Sequence, residues 1–289
     1  MRTTRVFLTS GLVLILTAAA VAQLENAYWR FEEGPAGQPL PTPGPDGSNP
    51  ESILDSINAN HMTTWAGFTA PKWTNLVSTA VVPQTGAPNT LALDFTPNQD
   101  IYTRAKPIDS QDVTAFTLEA AFMPRTVDRW EVIVGKDGKP SAGPEQTLAL
   151  KVRNDTKELH IELFDAANVI HGVRSKAPLV AGQWYYAAVV NDGTNLSLYL
   201  DRNDGQGYVL QGMDPTPLSG ALSAMDGTWT IGRGMYDWNV TDWFDGMIDE
   251  VRLTNRALLP SEFLFVPEPA TLSLAGIGLV ALCRRRPLR

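Results

Sequence analysis

The segment Glu158-Leu159-His160-Ile161-Glu162 places two carboxylates four residues apart with a histidine between them. On a β-strand, period two would put Glu158, His160 and Glu162 on one face and Leu159, Ile161 and Leu163 on the other. Two such carboxylates can act as nucleophile and acid–base if their surroundings split their pKa values. The flanking Lys157 and Asp165 suit the plainer reading, a solvated strand face. His61, His160 and His171 stand singly in three segments, so they do not by themselves indicate a metal trio. Asp201-Arg-Asn-Asp-Gly205 begins like a calcium loop, but Gln206 occupies the sixth position, where an EF-hand turn needs glycine. The chain contains no Gly-x-Ser-x-Gly elbow, no His-Glu-x-x-His and no phosphate loop.

Eight tryptophans open a second kind of chemistry, because indole faces stack on sugar rings. Trp29, Trp184 and Trp229 lie in strand patterns and read as core, and Trp130 begins a strand. Trp238 and Trp243 belong to the polar loop Tyr236-Asp-Trp-Asn-Val-Thr-Asp-Trp243, and they are the candidate ligand-binding residues. Each of the two is either a stacking platform or a loop anchor. Trp65 and Trp73 fall in an atypical stretch, 63–88, where they could equally pack over a sheet edge.

The elements that must position these side chains read as strands almost throughout. Alternating runs occur at 27–31, 91–95, 116–122, 130–134, 147–152, 158–164, 184–191, 196–200, 229–231 and 247–253. Short period-two segments separated by Gly, Asn and Asp indicate a sandwich or barrel. Asp192-Gly193 between two of them predicts a hairpin, because such turns need positive φ. Residues 260–263 suggest one helical turn, and the Pro/Gly-rich stretch 34–50 an irregular surface loop. No internal repeat is present, which favours one domain.

The two ends carry different patterns. Residues 1–22 join Arg2 and Arg5 to an apolar run that closes on Ala20-Val21-Ala22, the three parts of a secretory signal peptide. The C-terminus reads Val266-Pro267-Glu268-Pro269, an apolar stretch ending at Cys283, then Arg284-Arg285-Arg286. Its apolar core of about 14 residues would span only about 21 Å as a helix, short for a bilayer, and the arginines favour the cytoplasmic side. Without these two signals the chain keeps 17 basic and 30 acidic residues, a net of about −13. That charge repels nucleic acid and anionic lipid and suits divalent cations or neutral sugars. The single cysteine, Cys283, lies in the tail, so the remainder must be held by its core without a disulfide.

The Pro267-Glu268-Pro269 triplet, short apolar stretch and arginine cluster resemble the PEP-CTERM sorting signal of Gram-negative bacteria. That resemblance implies export, processing by signal peptidase and an exosortase, and display at the cell surface or in an extracellular matrix. Membrane contact would come only through the tail, before its removal. Ala27-Tyr-Trp-Arg-Phe-Glu-Glu-Gly34, Asp55-Ser-Ile-Asn-Ala-Asn-His-Met62, Gly182-Gln-Trp-Tyr-Tyr-Ala-Ala-Val-Val190, Leu196-Ser-Leu-Tyr-Leu-Asp201 and Phe244-Asp-Gly-Met-Ile-Asp-Glu-Val-Arg-Leu-Thr-Asn-Arg-Ala-Leu258 resemble the LamG-like group, which includes laminin G, pentraxin and concanavalin A-like domains.

This second resemblance implies an all-β, two-sheet antiparallel jelly-roll sandwich, and the expected organisation is signal peptide 1–22, sandwich 23–265 and sorting signal 266–289. It further implies one structural Ca2+ between the first and last strands, held by Glu32 or Glu33 with Asp249. The alternative is that Asp249-Glu250 caps the last strand and pairs with Arg252 or Arg256. Laminarinase-like glycosidases share the fold, and Glu158-Leu-His-Ile-Glu162 resembles their motif with His160 in place of its aspartate, which removes the orienting carboxylate. The leading expectation is a non-catalytic module that binds carbohydrate or an envelope partner. A glycoside hydrolase using Glu158 and Glu162 and a purely structural matrix protein remain the alternatives.

Overall fold

A computed structural model describes residues 25–44, 48, 50–65, 67–110, 114–138, 146–219, 222, 227–237 and 239–266. Among these the strands are β1 (Glu25–Trp29), β2 (Met62–Thr63), β3 (Lys72–Thr74), β4 (Ala92–Phe95), β5 (Ile101–Thr103), β6 (Phe116–Pro124), β7 (Glu131–Asp137), β8 (Gln146–Val152), β9 (Leu159–Phe164), β10 (Ile170–Arg174), β11 (Tyr185–Asn191), β12 (Leu196–Asp201), β13 (Val209–Asp214), β14 (Trp229–Ile231), β15 (Gly234–Tyr236), β16 (Asn239–Thr241) and β17 (Gly246–Thr254). Each of the ten runs read from the sequence falls on a strand, with ends moved by at most three residues. The predicted helical turn is a short 3-10 turn, Pro260–Glu262.

The strands form two antiparallel sheets. One runs β13-β12-β11-β6-β17-β4-β3, with β1 also paired to β17; the other runs β10-β9-β8-β7-β14-β5-β2. The chain's first and last described strands therefore lie side by side, Tyr28 opposite Arg252 and Trp29 opposite Val251. Phe116, Leu118, Ala120 and Phe122 of β6 face inward, as do Leu148, Leu150 and Val152 of β8 and Leu159, Ile161 and Leu163 of β9. Burying each such side chain contributes about 1.5–3 kcal/mol, and this stabilises a domain without a disulfide. Gly193 takes φ +85° in the β11–β12 hairpin, as the Asp-Gly pair predicted, and Asp192 Oδ1 accepts from the Thr194 and Asn195 amides at 2.8 and 2.7 Å.

The outer face of the eight-stranded sheet is covered by the chain's own ends of loops. Residues 258–266 cross it as a strap: Phe265 stacks on Tyr186 at 4.1 Å, and Phe263 packs edge-on to Tyr199 and Tyr208. Val82 from the 63–88 segment joins the same cluster, and the Tyr186 hydroxyl donates to the Ser78 carbonyl at 2.9 Å. Trp73 of that segment is buried against Gly34, where a Cβ would lie 2.3 Å from the indole ring. Only glycine allows that approach.

Candidate functional site

The outer face of the seven-stranded sheet is open in its β7–β9 half. Because Leu159, Ile161 and Leu163 point inward, His160 and Glu162 point outward, as the period-two reading required. Ala149 and Lys151 of β8 lie beside them for the same reason. Together with Phe164, the side chains of Ala149, Lys151 and Glu162 floor a cleft of about 440 Å³. Its wall is the β15–β16 ribbon, which contributes Met235, Tyr236, Thr241 and Asp242, and Trp130 stands at one end.

The ribbon is held down by its own root. Arg233 is buried, its Nε 3.0 Å from Asp100 Oδ2 and its Nη1 2.9 Å from Asp137 Oδ1. The Arg233 carbonyl accepts from Thr230 Oγ1 at 3.2 Å. At the next residue, Gly234, a Cβ would come within 2.8 Å of Val132 Cγ2 and 3.1 Å of Asp242 Cβ. A glycine there lets the ribbon lie against the sheet.

Charges in the cleft are largely matched. Lys151 Nζ lies 3.0 Å from Glu162 Oε1 and 5.4 Å from the Trp130 ring centre, and the Arg153 guanidinium lies 4.7 Å from the same ring. These cations fix the indole in place. Burial pushes the His160 imidazole down to about 4, and only the Glu162 carboxylate opposes that shift, so the ring is neutral at neutral pH. Burial pushes the Glu131 carboxyl up to about 8 against the opposing pull of Arg129 at 3.2 Å, and it also raises Asp242.

Of the two glutamates in the alternative, hydrolytic reading, only Glu162 lines the cleft. Glu162 lines the cleft in an ion pair, whereas Glu158 precedes β9 and accepts from Thr156 Oγ1 at 2.8 Å. His160, in the position of the orienting carboxylate, is buried and uncharged. The face is half-buried cleft floor rather than the open solvated strand of the plainer reading.

Trp243 is half-buried, edge-on to Phe68 at 4.9 Å, and it lines a shallower depression with Trp130, Asp128, Arg129 and Asn154 next to the cleft. Trp238 lies outside the described residues. Trp29 and Trp229 are fully buried, as their strand patterns implied. Trp184 differs from that expectation: it sits just before β11, partly buried against the outer cluster under the strap. Trp130, Lys151 and Tyr236 were not singled out from sequence as ligand-binding. The usable signal was Lys151 and Arg153, two apart on one strand face beside an unburied indole.

The carboxylates expected to hold calcium are engaged separately. Glu32 accepts from the Thr90 and Leu91 amides at 2.7 and 3.2 Å, and Glu33 from the Leu54 amide at 2.9 Å. Asp249 is fully buried, and its Oδ2 accepts from Ser78 Oγ at 2.9 Å and Asn89 Nδ2 at 2.7 Å. Burial, reinforced by neighbouring Glu250, pushes the Asp249 carboxyl up to about 7. Among the described residues no three His, Cys, Asp or Glu side chains gather at cation-binding spacing. Hydrogen-bond donors facing Asp249 Oδ2 do not fit a cation at that oxygen. Nor does the alternative pairing hold: Glu250 pairs with Arg30 at 2.8 Å, Arg252 with Glu119, and Arg256 with Glu262 at 2.7 Å.

The signal peptide, Pro267, Glu268, Pro269 and the Arg284–Arg285–Arg286 cluster lie outside the described residues. Among the described residues no helix is long and apolar enough to cross a membrane. A family model for the PEP-CTERM protein-sorting motif matches residues 265–286, which marks the chain as an exported protein sorted to the cell surface.

Comparison of the fold finds similar solved structures. Domain 4 of AbnA, an extracellular arabinanase from Geobacillus stearothermophilus, solved with arabinotriose, superposes with a TM-score of 0.51 at 14% identity, covering 83% of this chain and 96% of that one. The CBM40 of the Ruminococcus gnavus IT-sialidase, solved with α2,3 sialyllactose, gives 0.45 at 12% identity, covering 54% of this chain and 83% of that one. A SAP-like pentraxin from Limulus polyphemus gives 0.38 at 15% identity, covering 54% and 73%. No curated protein sequence matches the chain. A second family model, that of the concanavalin A-like lectin/glucanases superfamily (Laminin_G_3), matches residues 97–263, more than half of the chain and the part of the sandwich from β5 onward, and with the two-sheet topology it shows that the chain belongs to this superfamily.

Proposed function

We propose that the chain is a surface-displayed glycan-binding protein that holds its ligand in the β7–β9 cleft without turning it over. The observation that carries this reading is the cleft itself. Trp130, fixed by Lys151 and Arg153, and the exposed Tyr236 offer aromatic faces, while Lys151, Glu162 and Asp242 offer groups for sugar hydroxyls. Apolar platforms with a few placed polar groups are the usual make-up of a small-ligand site. The matched charges favour a neutral sugar chain over a polyanion. The arabinotriose in the structurally similar arabinanase domain supports a short neutral oligosaccharide as a fitting ligand class.

The reading without turnover is supported by Glu158 lying outside the cleft lining while Glu162 is in an ion pair, and by the uncharged His160, since hydrolysis of this kind needs two carboxyl groups flanking one bond. Export would proceed through signal peptidase, and an exosortase would remove the tail near Pro267-Glu268-Pro269. A structural Ca2+ using Glu32 or Glu33 with Asp249 would have to displace the donors now on those carboxylates.

Binding of the exported chain to arabinan, xylan, laminarin, galactan and agarose, by affinity electrophoresis and calorimetry, tests the reading. Retention on at least one polymer, lost in Trp130→Ala, is the expected result. Release of reducing ends that disappears in Glu162→Gln would replace binding with hydrolysis. No retention on any polymer would leave a structural matrix role.

A further inference from the structure

Beyond the cleft, the same outer face carries a second aromatic site, built by the atypical 63–88 segment. Tyr102 of β5 points to the outer face, since its neighbour Ile101 is in the core, and it is itself buried there, a backing for the ring laid on it. Trp65 lies against Tyr102 with ring centres 5.2 Å apart and planes tilted 44°, yet the indole is 46% exposed. Its backbone is anchored: Thr64 is buried with its hydroxyl on the Pro41 carbonyl at 2.9 Å, and the Trp65 carbonyl accepts from the Phe68 amide at 3.3 Å. An exposed indole on a fixed backbone and a fixed ring loses little freedom when a ligand stacks on it.

The site also has a polar group. Arg104, just past β5 on the same side as Tyr102, is exposed and acts electrostatically on the Tyr102 hydroxyl. None of the ion pairs among the described residues involves it. Its donors are available to sugar hydroxyls.

Aromatic contacts join this site to the cleft. Trp130 and Trp243 share one depression, Trp243 meets Phe68 at 4.9 Å, and Phe68 is in the turn that carries Trp65. In the sheet order β9-β8-β7-β14-β5 the cleft floor on β8 and β9 lies three to four strand spacings from β5, about 14–19 Å. We propose that Trp65, Tyr102 and Arg104 form a second subsite, so that the protein binds a neutral polysaccharide chain laid across the sheet rather than a terminal mono- or disaccharide.

The proposal rests on the cleft being a glycan site, and length dependence separates the two claims. The probes are the arabino-, β-1,4-xylo- and β-1,3-gluco-oligosaccharide series from dimer to octamer, titrated calorimetrically into the exported chain. In the series that binds, affinity should keep rising beyond the trimer. Trp65→Ala should weaken octamer binding about three- to tenfold and leave trimer binding unchanged, while Trp65→Phe should retain most of the gain. Trp130→Ala should weaken both. A wild type that gains nothing beyond the trimer, or a Trp65→Ala chain that binds the octamer like wild type, overturns the second subsite while the cleft stands. No binding to any series at any length overturns both.

Discussion

Arg252 and Glu119 form a buried ion pair across β17 and β6, with Arg252 Nε 2.7 Å from Glu119 Oε2, and the other carboxylate oxygen of Glu119 accepts from the Leu264 amide at 2.7 Å. One carboxylate thus joins the sheet to the strap. Removing a partner from such a pair leaves an uncompensated buried charge and costs about 3–5 kcal/mol. Glu119→Ala should therefore lower unfolding free energy in urea by that amount. Glu119→Gln, which keeps an acceptor for the Leu264 amide, should lose less and slow the loss of 258–266 to limited proteolysis relative to Glu119→Ala.

Gly234→Ala tests whether the ribbon builds the cleft. The added methyl meets Val132 and Asp242, so the ribbon must lift or the sheet must yield. Overpacking of this kind costs about 1–3 kcal/mol. Glycan retention should fall by more than that loss of stability accounts for, while Trp65, anchored by another segment, keeps its fluorescence environment.

Asp249 predicts a pH dependence with a definite sign. Its folded carboxyl is raised from the ordinary 3.8 to about 7, by burial first and Glu250 second. Between about pH 4 and 7 the folded state keeps a proton that the unfolded chain releases, so stability falls as pH rises through that window, by at most about 4 kcal/mol. Asp249→Asn should remove this share of the fall, read as urea midpoints at several pH values.

EDTA tests the expected calcium: Ser78 and Asn89 donors occupy Asp249 Oδ2 while Oδ1 is buried without a hydrogen-bond partner, and an unchanged melting temperature of the exported chain would remove the ion from the account. A melting temperature that drops with EDTA in wild type and not in Asp249→Asn would restore the calcium bridge to Glu32 or Glu33.

Mass spectrometry of the protein from its host should find a C-terminal peptide ending between Val266 and Pro269. Recovery of intact 283–289 on the exported chain would show a retained anchor instead. Neutralising Arg284, Arg285 and Arg286 should misroute the protein.

Long alternating strands were readable because side chains on a strand point to opposite faces in turn, and every second residue of Phe116–Phe122, Leu148–Val152 and Leu159–Leu163 lies in the core. Short strands such as β3, β5 and β15 were not, since two or three residues carry no period and their pairing partner makes them strands. The position of Glu162 on an outward face was legible for the same reason. The cleft was not, because its wall depends on Arg233 reaching Asp100 and Asp137, which are 133 and 96 residues away in the chain. Trp65 and Trp73 show the limit plainly. They share one segment, yet Trp73 is buried against the bare face of Gly34 while Trp65 is half-exposed, a difference that depends on contacts distant in the chain.

The strap gives the molecule a fixed bearing. Val266 still packs beside Phe263, and the sorting motif begins at the adjoining residues. The last described residues thus lie on the outer face of the eight-stranded sheet, and an attachment made through the sorting motif would leave from that side. The sheet that carries the proposed glycan cleft would then face away from the attachment, with the thickness of the sandwich between the two.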